Sequence, residues 1–300
     1  MNNSSDPRLH DLILPFSDTN LEKASVVLIG VPTDEGILRN GGRVGAAQAP
    51  DDIRRQLGKL TPFSSIGSFE KLLIADHGNL SGSSLEEIHS KAKDAISKLI
   101  ASGKIVIALG GGHDVTYPLA SGFHEGIGKK DFSLINIDAH LDVREKKNGL
   151  HHSGSSFRLL IEESILKGKN FTEFGIQQFA YSDNHLQWAL GQGAKVVFHD
   201  DLYEKHVSRE FASYLSKEKP NYVSFDIDSV RSSDVPGSSA PSPTGLHAED
   251  AVHICYEAGL NPLTQMLDIV EVNPLFDYDH RTTKLAARMI AMFLLGVAKR

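Results

Sequence analysis

Phe132-Ser133-Leu134-Ile135-Asn136-Ile137-Asp138-Ala139-His140-Leu141-Asp142 is the stretch that sets the fold class. Its first six residues make a short, nearly continuous apolar run, the pattern of a parallel strand covered on both faces. Its last five set Asp138, His140 and Asp142 two residues apart. In an extended chain that step puts side chains on one face; in a helix His140 would point away from the other two. A buried strand therefore runs into a turn that carries two carboxylates and an imidazole.

The same layout occurs twice more. Lys104–Leu109 leads into Gly110-Gly111-Gly112-His113-Asp114, and Asn221–Phe225 leads into Asp226-Ile227-Asp228. Further strand-like runs are Ser25–Val31, Lys71–Ala75, Thr172–Ile176, Lys195–Phe198 and Met266–Val270. Amphipathic segments lie between them. After Ser84, the residues Leu85, Ile88, Ala92, Ile96 and Leu99 recur at helical spacing, and Ser84 with Glu87 forms a capping box. Other helix patterns cover Pro50–Lys59, Val115–Phe123, Arg209–Lys217, His247–Ala258 and Thr282–Val297. Repeated strand–helix alternation predicts a three-layer α/β/α sandwich with a mostly parallel sheet of about eight strands. The Gly/Ser/Pro-rich stretches at Ser81–Ser84 and Ser232–Pro243 fall inside this alternation and read as loops. The expectation is one domain over residues 1–300, with residues 1–20 as a loosely ordered arm.

In open α/β sheets, ligands sit beyond the carboxyl ends of the strands, which is where all three polar motifs fall. Four or five carboxylates in one pocket would repel each other and take up protons. A pair of divalent cations removes that conflict. The glycine run is expected to supply left-handed torsions at a strand-to-helix turn. It lacks the Lys-Ser/Thr of a phosphate-binding loop.

Composition narrows the function further. A net charge of −7 with no block of clustered Lys and Arg argues against nucleic-acid binding. The lone Cys255 cannot form an internal disulfide, which fits a reducing compartment. Met1–Asp18 lacks the basic-then-apolar layout of a signal peptide, and no apolar run approaches the ~20 residues of a membrane span. A soluble, cytoplasmic protein with a small-molecule substrate is expected.

Taken in order, Gly-Gly-Gly-His-Asp, Asp-x-His-x-Asp and Ser-Phe-Asp-x-Asp, with Val270-Glu271-Val272-Asn273-Pro274 near the last strand, resemble the signature of the ureohydrolase superfamily. Arginases, agmatinases and formimidoylglutamases belong to it. The resemblance runs from about Gly30 to the C-terminus and implies two Mn2+ per chain in an α/β/α sandwich. Position by position, it implies that His113, Asp138, Asp142 and Asp226 hold one ion. Asp138, His140, Asp226 and Asp228 would hold the other, with Asp138 and Asp226 bridging. A hydroxide shared by the ions would attack an amidine-type carbon. Asp114 is expected to orient His113 from behind. The resemblance makes Glu271 the acceptor of the substrate's cationic carbon–nitrogen group. In His151-His152-Ser153-Gly154-Ser155-Ser156-Phe157-Arg158 it makes His152 the proton shuttle, with His151 the alternative because Ser153 is an extra residue before the glycine. It also implies a homo-oligomer.

Arg144, directly after the second motif, would repel an ammonium tail and attract a carboxylate, with Arg158 adding a second contact. Ala180 stands near the position where arginases carry an acid for the substrate amino group. His152-Ser153-Gly154 and Pro236-Gly237-Ser238-Ser239-Ala240-Pro241 are most similar to formimidoylglutamases. The expected reaction is hydrolysis of N-formimino-L-glutamate to L-glutamate and formamide, in histidine degradation. An agmatinase or other guanidino-acid hydrolase is the alternative. A non-catalytic metal-binding relative and a single-metal deacetylase of related architecture stay open.

Overall fold

Val26 and Leu28 pack into one hydrophobic core, while Val27 and Ile29 pack into another on the opposite face of the same strand. The alternation repeats along the central strands: Ile107 and Leu109 oppose Val106 and Ala108, and Val223 and Phe225 oppose Tyr222. Both faces are covered, which is why these strands read as continuous apolar runs.

The computed structural model describes residues 6–300. The main sheet has nine strands: β1 Ile13–Leu14, β2 Val26–Gly30, β3 Ile74–Asn79, β4 Ile105–Leu109, β5 Ser133–Ile137, β6 Phe171–Ile176, β7 Lys195–Phe198, β8 Asn221–Asp226 and β9 Thr264–Val270. Their spatial order is β1-β3-β2-β4-β9-β8-β5-β6-β7, and every neighbouring pair is parallel. The helices Ala49–Leu57, Val207–Tyr214, Ala248–Leu260 and Arg281–Val297 cover one face. Leu85–Ala101, Thr116–Gly126, Ser156–Glu162 and Asp183–Gly191 cover the other. This is the α/β/α sandwich read from the sequence.

Several features differ from expectation; the strand read at Lys71–Ala75 runs instead over Ile74–Asn79. The sheet gains a ninth strand because Ile13 and Leu14 pair with Ile74 and Ala75 at its edge. A two-residue strand leaves no periodic signal. From Asp6 onward the expected loose arm is part of the fold: Leu9 is fully buried in the core and Asp18–Lys23 is helical. Residues 1–5 of that arm lie outside the described residues. Helices at Glu35–Asn40, Ser156–Glu162 and Asp183–Gly191 lie outside the predicted set: the first two are six and seven residues long, and Asp183–Gly191 buries only Ala189, so none shows a clear apolar stripe. Among the described residues no helix is long and apolar enough to cross a membrane.

Four adjacent central strands, β4, β9, β8 and β5, carry the polar motifs at their C-terminal ends. Leu109 pairs with Ile269, Asp226 with Val270, and Phe225 with Ile137. The residues that follow are thereby delivered side by side to one rim, although they come from four separate parts of the chain.

Candidate metal centre

At that rim two donor groups converge, His113 with Asp138, Asp142 and Asp226, and Asp138 with His140 and Asp228. His113 Nδ1 lies 3.2 Å from Asp138 Oδ2 and 3.1 Å from Oδ2 of both Asp142 and Asp226. His140 Nδ1 lies 3.4 Å from Asp138 Oδ1 and 3.3 Å from Asp228 Oδ2. Asp138 thus offers one oxygen to each group and could serve both. Asp226 Oδ1 accepts the Asp228 N–H at 2.8 Å, leaving Oδ2 toward His113. By distance Asp226 joins the first group only, where the sequence resemblance had it serving both.

The electrostatics call for cations. Burial opposes a charge on His113, but Asp138, Asp142 and Asp226 outweigh it and raise its pKa well above the usual imidazole value. Burial, with Asp228 and Asp138 beside it, pushes the Asp226 carboxyl well above the usual range. So many acids in one dry pocket hold protons unless metal replaces them. His113 Nδ1, Asp228 Oδ1 and Glu271 Oε2 are all buried without a hydrogen-bond partner. Four carboxylates and two imidazoles, with no thiolate, fit a hard pair of divalent cations such as Mn2+.

The supports behind the donors come from within the sheet. His113 Nε2 lies 3.1 Å from Ser224 Oγ, which donates to Asp268 Oδ1 at 2.8 Å. Thr116 Oγ1 donates to Asp268 Oδ2 at 2.9 Å, and the Tyr222 hydroxyl also donates to that oxygen. A ring that carries its proton on Nε2 leaves Nδ1 free for metal. Asp114 does not orient His113 as expected. Its Oδ2 faces His89 Nε2 at 2.9 Å, because adjacent residues in this turn point to different sides.

The glycine run also differs from its reading. None of Gly110, Gly111 and Gly112 has a positive φ. A Cβ on Gly111 would instead lie 1.7 Å from the Thr33 carbonyl oxygen, so close backbone approach is what demands glycine there. Glu271, at φ +62°, is strained, as is the donor Asp142, at φ +45°. The Glu271 N–H donates to Gly111 O at 2.8 Å and its Oε1 accepts the His113 N–H at 2.7 Å. Left-handed torsion in a non-glycine residue costs energy and persists where the surroundings over-determine it. Burial pushes the Glu271 carboxyl up to about 8.

Four of the donors, His140, Asp142, Asp226 and Asp228, line a cavity of about 210 Å³ together with Asn40, Arg144, Ser153, Ser239 and Glu271, while His113 and Asp138 are fully buried. An arginase-family model matches residues 24–296. This chain belongs to the arginase family. A Rhodococcus jostii formimidoylglutamase is 31% identical over 293 residues, covering 94% of this chain and 89% of the relative. Human mitochondrial guanidino acid hydrolase is 31% identical over 291 residues, covering 94% and 80%. A Trypanosoma cruzi formiminoglutamase crystal structure with a Mn2+ pair matches at TM-score 0.92 and 35% identity, over 98% of this chain and 99% of that one. As an arginase-family member, the protein is a hydrolase of linear amidine carbon–nitrogen bonds.

Within this arginase-family site the remaining sequence expectations fall out unevenly. Arg144 lines the cavity, with Nη1 3.3 Å from Asn40 Oδ1. Arg158 does not: it donates to Glu162 at 2.7 Å and Glu145 at 3.0 Å, and its guanidinium covers the Trp188 ring at 4.8 Å. His152 does not line the cavity either. Its Nδ1 accepts the Gly154 N–H at 3.2 Å and its Nε2 lies 2.9 Å from the Glu145 carbonyl, so both nitrogens serve the loop. The extra residue turns Ser153, not His152, toward the cavity. His151 packs edge-on against His89 and Tyr117, and burial pushes its pKa down to about 3. Neither histidine is placed for the expected proton transfer. The sequence reading missed Asn40, Ser153, Ser239 and the Ser224–Asp268 support; only the small polar residues inside otherwise apolar strands hinted at the last.

Proposed function

We propose that the protein hydrolyses N-formimino-L-glutamate to L-glutamate and formamide with two Mn2+ per chain. The observation that carries this reading is one small cavity lined by members of both candidate donor groups and by Arg144. When bound, the two ions would supply Lewis acidity and a water ionised near neutral pH. The chain's own residues do the rest. Glu271 Oε2, buried and unpartnered, would accept N–H from the amidinium end of the substrate. Arg144 would pair with a carboxylate at the other end, a charge-assisted contact with a planar fork. Asn40 braces that guanidinium, and Ser153 and Ser239 offer hydroxyls to the polar backbone between the two ends. Glu271 follows β9 directly, while Asn40, Arg144, Ser153 and Ser239 come from a helix end and from the loops around the rim.

A guanidino acid is the second reading. Its carboxylate would satisfy Arg144 equally well, and the human guanidino acid hydrolase is as similar in sequence as the Rhodococcus jostii formimidoylglutamase. Agmatine, whose tail is an ammonium, would be repelled. Turnover of formiminoglutamate, a series of guanidino acids, agmatine and arginine by Mn2+-loaded protein tests this. Dominant hydrolysis of formiminoglutamate is expected, whereas comparable turnover of agmatine would sink the carboxylate-tail assignment.

A further inference from the structure

Glu173 is fully buried in the middle of β6, a strand whose six residues are all buried. Its Oε2 accepts one hydrogen bond, from Asn136 Nδ2 at 2.8 Å, and its Oε1 accepts none. A carboxyl so sparsely hydrogen-bonded in such a place costs stability, and its presence there calls for a purpose. Its register shows one. Glu173 pairs with Asn136, Asn136 with Ser224, and Ser224 with Asp268. These four residues form a polar row across four neighbouring strands, on the face that Leu134 and Tyr222 share. The row lies just beneath the metal donors. Ser224 reaches His113, and Asn136 Nδ2 reaches Asp138 Oδ2 at 3.1 Å.

We propose that Glu173 is a positioning residue of the metal centre. By engaging one hydrogen of the Asn136 amide, it aims the other at Asp138 Oδ2 and fixes that carboxylate with one oxygen toward each donor group. Asp138 Oδ1 is held independently by the His140 N–H at 2.7 Å, so both oxygens of the bridge are set by hydrogen bonds. Burial and the nearby Asp138 push the Glu173 carboxyl well above the usual range. A neutral acid accepts from Asn136 without adding a fifth negative charge to a site whose four carboxylates balance two divalent ions. This inference rests on the two-ion reading given above, and its test separates the two.

The test is Mn2+ binding to the full chain by calorimetry and metal analysis, in wild type, Glu173→Gln, Glu173→Leu, Asn136→Ala and the double variant Asn136→Ala/Glu173→Leu. Glu173→Gln keeps a neutral acceptor and should bind within about threefold of wild type. Glu173→Leu and Asn136→Ala should each weaken at least one ion by about tenfold or more, the usual scale for groups that orient a ligand. The double variant should lose no more than the worse single one, because both act through one contact. Wild-type affinity in Glu173→Leu, or losses that multiply in the double variant, would overturn the role. If Glu173→Leu does not fold, wild-type affinity in Asn136→Ala overturns it alone. A wild type that does not take up two ions would instead defeat the metal-centre reading.

Discussion

Glu271 Oε1 accepts the backbone N–H of His113 at 2.7 Å, tying the residue after β9 to the metal donor after β4. The contact uses one carboxylate oxygen and leaves Oε2 buried and unpartnered. A single side chain thus braces the His113 turn and presents an acceptor to the cavity.

Glu271→Gln separates those two tasks. The amide oxygen can still accept from His113, but an NH2 donor replaces Oε2, so the acceptor that would receive an amidinium N–H is gone. A hydrogen bond to a charged group contributes about 1.5–3 kcal/mol, so kcat/KM should fall about 10- to 100-fold while Mn2+ content stays unchanged. Steady-state kinetics with metal analysis checks this, and undiminished kcat/KM would remove Glu271 from substrate binding.

Arg144→Ala should act on binding. A carboxylate contact remote from the reacting carbon is made equally in ground and transition states, so KM should rise about 10- to 100-fold with kcat within about threefold. A loss confined to kcat would count against a tail-binding Arg144.

Protons and metal should compete for the centre. His113 and His140 both have raised pKa values, His140 chiefly through Asp228, and burial raises Asp226 and Asp228. Groups with raised pKa retain protons to higher pH, so metal must displace them and Mn2+ affinity should fall as pH falls. Calorimetry in two buffers of different ionisation enthalpy should show proton release on binding. Proton-neutral binding would contradict this charge balance. The same ions should raise the Tm, and chelation should reverse the gain.

His151 should make the fold acid-sensitive. Its pKa is pushed to about 3 by burial, below the ~6.5 of an unfolded imidazole. Between those values the unfolded chain binds more protons, so stability is full above about pH 6.5 and drains as pH falls toward 3. Between pH 6.5 and 5 the contribution is about 2 kcal/mol at most. Denaturant unfolding of wild type and His151→Gln at both pH values should show a shallower loss in the variant. Equal slopes would assign the acid sensitivity elsewhere.

The donors were legible because each ends or follows an apolar run, so the run predicts a strand and the strand's end predicts the rim. The supports were not. Asn136, Ser224, Asp268 and Glu173 lie inside those same runs, where single polar residues give no sign of a partner on the next strand. Asp114 was misread for a related reason: sequence adjacency to His113 says nothing of direction once the chain enters a turn. The loop histidines failed likewise, since an insertion of one residue decides which side chain faces inward.

By itself, the sequence determined the α/β/α class, the family signature and the six side chains that meet as candidate metal donors, because hydrophobic period and local spacing are short-range properties carried by consecutive residues. Only the tertiary structure decided that β9 and β8 lie between β4 and β5 and so bring those donors to one rim. It also decided that Ser153 rather than His152 faces the cavity, and that a buried row ending in Glu173 supports the centre. Strand order, register and loop direction arise from contacts between distant segments, and no single stretch of chain contains them.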